Sequence, residues 1–171
     1  QQLIENLLSF SAWQTKSEVL TLSDFEIRKQ VISVARAQRL ALKAANIQLK
    51  LDVDDIIVNA DQDKIRTVLD NLLSNAVKFT DRYGKITIKV EMVKDFVCKL
   101  EFSVADTGIG IKDQDKPKLF KMFGSVKDDK NKINTNGIGL GLVISKLIVN
   151  HYKGDISFES QYQNGSTFFF D

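Results

Sequence analysis

Two consecutive runs, Lys85 to Val93 and Phe96 to Ala105, alternate apolar and polar residues and are separated only by Lys94-Asp95. A period of two is the period of a strand, and so short a link predicts a hairpin. Such a hairpin has one apolar face that another element must cover. The cover stands just upstream. From about Asp63 to Phe79, Ile65, Val68, Leu69, Leu72, Leu73 and Ala76 recur at helical spacing, and Asp61 is placed to cap the helix they predict. A sheet with a helix packed on one face is therefore the frame into which the rest of the chain must fit.

The remaining segments extend that frame. Leu3, Ile4, Leu7, Leu8, Phe10 and Trp13 predict an amphipathic helix from Gln1 to about Glu18. Val19 to Leu22 reads as extended, and Ser23 or Asp24 as the cap of a helix from Asp24 to Ala45. Ile47, Leu49, Leu51 and Val53 alternate as in a half-buried strand, and Ile56 to Ala60 forms another. Asp81-Arg82-Tyr83-Gly84 is a turn. Residues 106–136 read as irregular, with a short helix from Pro117 to Phe123 and, from Lys127 to Asn136, the polar composition of a mobile loop. A helix from Gly139 to His151 and strands at Asp155 to Glu159 and Ser166 to Phe170 close the chain. The expected fold class is α+β, a two-layer sandwich with a mixed sheet and three helices on one face.

Composition narrows the function classes. The 171 residues are 43% hydrophobic and 27% charged, enough for one sizeable core. A net charge of +2 gives no case for a nucleic-acid or anionic-membrane partner. A single cysteine, Cys98, rules out an internal disulfide; its place in an alternating run predicts a small core residue. No apolar run reaches the ~20 residues of a membrane span, and no signal peptide is visible. The chain opens Gln-Gln inside an apolar-periodic segment and reads as a piece cut from a longer protein; the expected location is cytoplasmic, with any membrane anchor in parts not included in it.

Three clusters carry chemistry. On the helix Asp63 to Phe79, Asn71, Asn75 and Lys78 fall within about 60° of one another, beside the core stripe. Amide oxygens are hard neutral ligands suited to Mg²⁺, and the ammonium suits phosphate. Asp106-Thr107-Gly108-Ile109-Gly110 follows directly on a strand: a carboxylate there can accept from an exocyclic amine such as that of adenine, and the glycines allow close approach to a flat ligand. Gly137-Ile138-Gly139-Leu140-Gly141-Leu142 opens an apolar helix, where free N–H groups suit phosphate. Taken singly, each admits a plainer reading: a solvated helix face, a strand-to-loop turn, a flexible linker into a helix. Their joint occurrence, in this order, does not.

The run Asn71-Leu72-Leu73-Ser74-Asn75-Ala76-Val77-Lys78-Phe79-Thr80 resembles the asparagine box of sensor histidine kinases. Asp106 to Gly110 and Gly137 to Leu142 resemble their two glycine boxes, Leu119-Phe120-Lys121-Met122-Phe123 their phenylalanine box, and Gly165-Ser166-Thr167-Phe168 their closing strand. The resemblance extends over essentially the whole chain. It implies the Bergerat ATP-binding sandwich, shared with type II topoisomerases and large heat-shock chaperones, over residues 19–171, preceded at 1–18 by the tail of a dimerisation helix. It implies ATP and Mg²⁺ as cofactors. Asn75, with Asn71, would hold the metal, and Lys78 would contact phosphate. Asp106 would accept from the adenine amine with Thr167 nearby, and Gly108 and Gly110 would line the base. The backbone of Gly137, Gly139, Leu140, Gly141 and Leu142 would hold phosphates beneath a lid at about Gly124 to Asn136. Phe120 and Phe123 would dock the lid or the dimerisation helices. The partners implied are ATP or ADP, the chain's own dimerisation domain and a response regulator.

One position bears on mechanism. Hydrolysing relatives of this fold carry a glutamate four residues before the metal asparagine; here that position is Asn71, which cannot act as a general base. The implied activity is transfer of the ATP γ-phosphoryl group to a histidine, not hydrolysis. The only histidine, His151, stands at a helix end and is no acceptor, so the acceptor lies outside this chain. After Phe123 the run Gly124-Ser125-Val126-Lys127 departs from the family's usual arginine-containing pattern; Lys127, Lys130 or Lys132 could take the arginine's place, or the loop is simply solvated. Competing readings are a degenerate nucleotide-binding signalling module, a hydrolase of the same fold and a serine kinase of the anti-sigma type.

Overall fold

The computed structural model describes residues 19–94, 98–122 and 139–171. The expected N-terminal helix, the hairpin tip at 95–97, Phe123, the lid and Gly137 lie outside these residues.

Among the described residues, seven strands and four helices follow in order: β1 Ser23–Glu26, α1 Ile27–Ala37, α2 Arg39–Ala44, β2 Gln48–Val53, β3 Ile57–Ala60, α3 Gln62–Phe79, β4 Lys85–Lys94, β5 Cys98–Asp106, α4 Gly141–His151, β6 Ile156–Ser160 and β7 Ser166–Phe170. A 3₁₀ turn, Lys116–Lys118, lies between β5 and α4. The main sheet has the order β2-β4-β5-β7-β6. β2 and β4 run parallel, because the chain between them crosses over through α3; the other neighbours are antiparallel. The sheet is mixed and helix-covered on one face, as expected.

Core formation follows the alternation. Ile86, Ile88 and Val90 of β4, Phe102 and Val104 of β5, and Phe168 and Phe170 of β7 are buried on the helix side. They meet Val68, Leu69, Leu72, Leu73 and Ala76, the stripe of α3 read from the sequence. Phe102 stacks on Phe170 with ring centroids 4.3 Å apart. The cap is also as read: Asp61 accepts from the Asp63 and Lys64 N–H groups at 3.2 and 3.1 Å. Its second oxygen accepts the Thr21 N–H at 2.9 Å, and its own N–H donates to the Tyr152 hydroxyl at 2.8 Å, which ties α3 to the end of α4.

Three expectations are corrected. Ser23–Glu26 is a strand and not the start of a helix, because it pairs antiparallel with β3 from Ser23↔Ala60 to Glu26↔Ile57; α1 then begins at Ile27, and the helical stretch is broken at Gln38 into α1 and α2. β3 accordingly joins a separate two-stranded sheet. Cys98 is exposed and not a core residue. It shares the inward phase of Phe102 and Val104, but burial fades toward this end of the hairpin, where Met92 is 40% exposed. The alternation persists past the edge of the helix layer.

Candidate functional site

A cleft opens between α3, the loop after β5, the start of α4 and β7. Its wall includes Asn75 and Phe79 of α3, Asp106, Gly110 and Leu142. Of the expected residues, Asp106, Gly110, Asn75 and Leu142 converge there.

Asp106 ends β5 at the floor of the cleft. Burial pushes its carboxyl above the usual carboxylate range, and backbone N–H groups of Gly108 and Ser166 partly counter that rise. The Gly108 N–H lies 2.8 Å from Oδ1. Gly108 does not line the cleft wall. It passes beneath the carboxylate so close to α3 that an added Cβ would lie 2.2 Å from the Phe79 carbonyl oxygen. Gly110 needs glycine for a different reason: its φ is +62°, and a Cβ would lie 2.0 Å from the Gln161 carbonyl oxygen.

The closing strand places Ser166, not Thr167, on the wall. Consecutive side chains of a strand point to opposite faces. Ser166 shares the inward face with Phe168 and Phe170 and pairs directly with Asp106, whereas Thr167 pairs with Ala105. The apolar Phe168 and Phe170 carried that signal in the sequence. The phase that turns Phe168 and Phe170 inward also turns Ser166 inward and Thr167 away.

Asn71 lies one helical turn before Asn75 and faces the start of α4. Its Nδ2 donates to the Gly141 carbonyl at 3.1 Å and to the Ser145 hydroxyl at 3.2 Å, leaving the amide oxygen uncommitted by these bonds. A Cβ on Gly141 would lie 3.2 Å from that oxygen, so glycine keeps the two elements in close contact. Leu140 is buried and its carbonyl accepts the Ile144 N–H at 2.9 Å, while Gly139 turns the chain into the helix with φ +70°. Lys78 is exposed, with its ammonium over the Phe79 ring at 5.0 Å, at the rim and not on the wall. Phe120 is half-buried: its ring packs on Phe158 at 6.0 Å and under the Lys146 ammonium at 5.2 Å. Leu119, from the phenylalanine box, joins the apolar wall with Ile111, and the sequence assigned neither a place at the site.

Among the described residues no group of three or more His, Cys, Asp or Glu side chains could hold a metal. The amide donors of Asn75 and Asn71 still suit Mg²⁺, which takes few protein ligands beside substrate phosphates and waters. No helix among the described residues is long and apolar enough to cross a membrane.

An apolar cleft with a carboxylate floor, an amide on one helix and a glycine-rich helix start on the other fits the site of an ATP-binding two-layer sandwich. Residues 60–171 match the family of histidine kinase-, DNA gyrase B- and HSP90-like ATPases, and the chain belongs to that family. Signal transduction histidine-protein kinase BarA of Escherichia coli strain K12 is 34% identical over 174 residues, which cover 98% of this chain and 19% of BarA. The chain thus spans about a fifth of that relative's length. The crystal structure of full-length ShkA in complex with AMPPNP matches with a TM-score of 0.83 at 25% identity, over 99% of this chain and 34% of ShkA. Histidine kinase ThkA in complex with response regulator protein TrrA matches with a TM-score of 0.70 at 26% identity, over 99% of this chain and 47% of that one. Within that family, the chain is similar to the ATP-binding domains of histidine kinases.

Proposed function

We propose that this domain holds ATP for direct transfer of its γ-phosphoryl group to a histidine on a dimerisation segment of the parent protein, for relay to a response regulator. The observation that carries the reading is the bonding of Asn71. At the position where a hydrolase of this fold needs a carboxylate to activate water, an amide is engaged with the Gly141 carbonyl and the Ser145 hydroxyl. It offers no general base. The nucleophile must bring its own reactivity, as a neutral imidazole does.

In this reading the base enters the apolar cleft and its exocyclic amine donates to Asp106. The start of α4 directs N–H groups at phosphate. Lys78, at the rim, meets the negative charge of the triphosphate by swinging from the Phe79 ring. Asn75 and the amide oxygen of Asn71 would hold Mg²⁺, whose chemistry is to neutralise charge on the phosphates. Phe79, Leu142 and Phe168 exclude water from the base. Residues 1–18 belong to the dimerisation helix and 19–171 to the catalytic unit, which acts in the cytoplasm. The AMPPNP bound to ShkA and the response regulator bound to ThkA support the two partner assignments.

The test is calorimetric titration with an ATP analogue, with and without Mg²⁺, followed by radiolabelled transfer to a separately supplied histidine-bearing dimerisation domain. Mg²⁺-sensitive binding and label on histidine are expected. Release of inorganic phosphate without labelled protein would overturn the reading.

A further inference from the structure

The hydroxyl oxygens of Ser160 and Ser166 stand 2.9 Å apart, and the two residues are cross-strand partners in the β6–β7 hairpin. Ser160 Oγ has two further neighbours. The Ile111 N–H donates to it at 2.9 Å, and the Gly165 carbonyl oxygen lies 3.0 Å away. A serine hydroxyl has one hydrogen and two acceptor positions, and a carbonyl can only accept. The Ser160 proton therefore goes to Gly165. Were it directed at Ser166, two oxygens would face each other at 3.0 Å with no hydrogen between them. Both Ser160 acceptor positions are then filled, one by the Ile111 N–H and the other by the Ser166 O–H.

The consequence falls on Ser166, which is buried on the cleft wall. With its only proton committed to Ser160, it turns lone pairs toward the cleft. Its other cross-strand partner is Asp106, a carboxylate. The polar end of the cleft thus offers acceptors, and Ile111, Leu119 and Phe168 make the neighbouring wall apolar. The relay is held in place by the same hairpin. The Gln163 N–H donates to the Ile109 carbonyl at 2.7 Å, and the close approach of Gly110 to Gln161 seats the loop after β5 against the hairpin turn.

We infer that Ser160 is a positioning residue for base selection: by holding the Ser166 proton it fits the cleft to a 6-aminopurine, whose exocyclic amine donates, and against a 6-oxopurine, whose carbonyl would oppose two acceptors. This rests on the reading of the cleft as a nucleotide site. A site whose polar groups match one base edge discriminates against the edge that leaves them unmatched.

The experiment titrates the full 171-residue chain with non-hydrolysable ATP and GTP analogues in Mg²⁺, alongside thermal melting, for wild type, Ser160→Ala, Ser160→Thr and Ser166→Ala. Wild type prefers the adenine analogue. Ser160→Ala frees the Ser166 proton to donate, so the preference falls about tenfold, through weaker ATP and stronger GTP binding. Ser160→Thr keeps the hydroxyl and the preference. Ser166→Ala weakens the adenine analogue and, with one opposing acceptor gone, does not weaken the guanine analogue. Equal loss for both analogues in Ser160→Ala, or an unchanged preference, would overturn the inference. Should that variant fail to fold, an undiminished adenine preference in Ser166→Ala overturns it instead. A wild type that binds both analogues equally sinks base selection alone; one that binds neither sinks the nucleotide reading with it.

Discussion

Asn71 on α3 donates its amide hydrogens across the helix layer to Gly141, 70 residues further along the chain, at 3.1 Å. The bond fixes the start of α4 against the helix that carries Asn75. Two walls of the cleft are thereby set by one side chain that itself stays off the wall.

Replacing Asn71 by Ala leaves the Gly141 carbonyl and the fully buried Ser145 hydroxyl without that donor. The expected cost is about 1–3 kcal/mol of stability, measured by urea denaturation, with a parallel loss of ATP-analogue affinity. Asn71→Asp keeps the shape but sets a carboxylate against a carbonyl, so it is expected to be no more stable than Asn71→Ala. A fully stable Asn71→Ala would show the bond to be dispensable.

Asp106 is expected to separate stability from function. Burial raises its folded-state pKa above the ordinary 3.8. Between 3.8 and the raised value the folded chain binds more proton than the unfolded chain, so this group's stabilising contribution is complete below that window and is lost as pH rises through it. Asp106→Asn removes the buried charge. Relative to wild type it gains stability as pH rises through that window, yet adenine-analogue affinity drops about 10- to 100-fold because a charged acceptor is lost. In wild type that affinity falls on acidification through the same window. Denaturation and calorimetry across this pH range check both signs; a variant less stable than wild type at pH 7 would contradict the first.

Chelating Mg²⁺ is expected to weaken ATP-analogue binding by about tenfold or more in wild type. Asn75→Ala binds weakly in either condition and so loses the response to chelation. Because Asn75 sits on the wall of the cleft and not in the core cluster, its melting temperature stays within about 2 °C of wild type.

Gly108→Ala tests the packing beneath the carboxylate. A Cβ 2.2 Å from the Phe79 carbonyl oxygen and 2.8 Å from Asp106 Oδ1 cannot be accommodated without moving β5 or α3. A loss of about 3 kcal/mol is expected, the upper end for overpacking, with adenine affinity falling as Asp106 shifts. Unchanged melting would mean the two elements are looser than their contact distances require.

Much of this protein is legible from local chemistry. The α3 stripe, its Asp61 cap, the alternation of β4, β5 and β7 and the glycine-rich start of α4 all depend on residues within a turn or a few strand positions of each other. A period of 3.6 or 2 and a short capping side chain are readable in such a window. Tertiary structure decided what depends on partners far along the chain. Ser23–Glu26 is a strand because β3 pairs with it from more than 30 residues away, against a local preference for a helix cap. Cys98 keeps its inward phase but lies where the helix layer no longer covers the sheet. Which of Ser166 and Thr167 faces the cleft, which groups surround the Ser160 hydroxyl, and what Asn71 holds were each settled by neighbours on other elements. The physical reason is the same throughout: period and capping are local energies, whereas pairing register, cover and hydrogen-bond partnership arise only when distant segments are brought into contact.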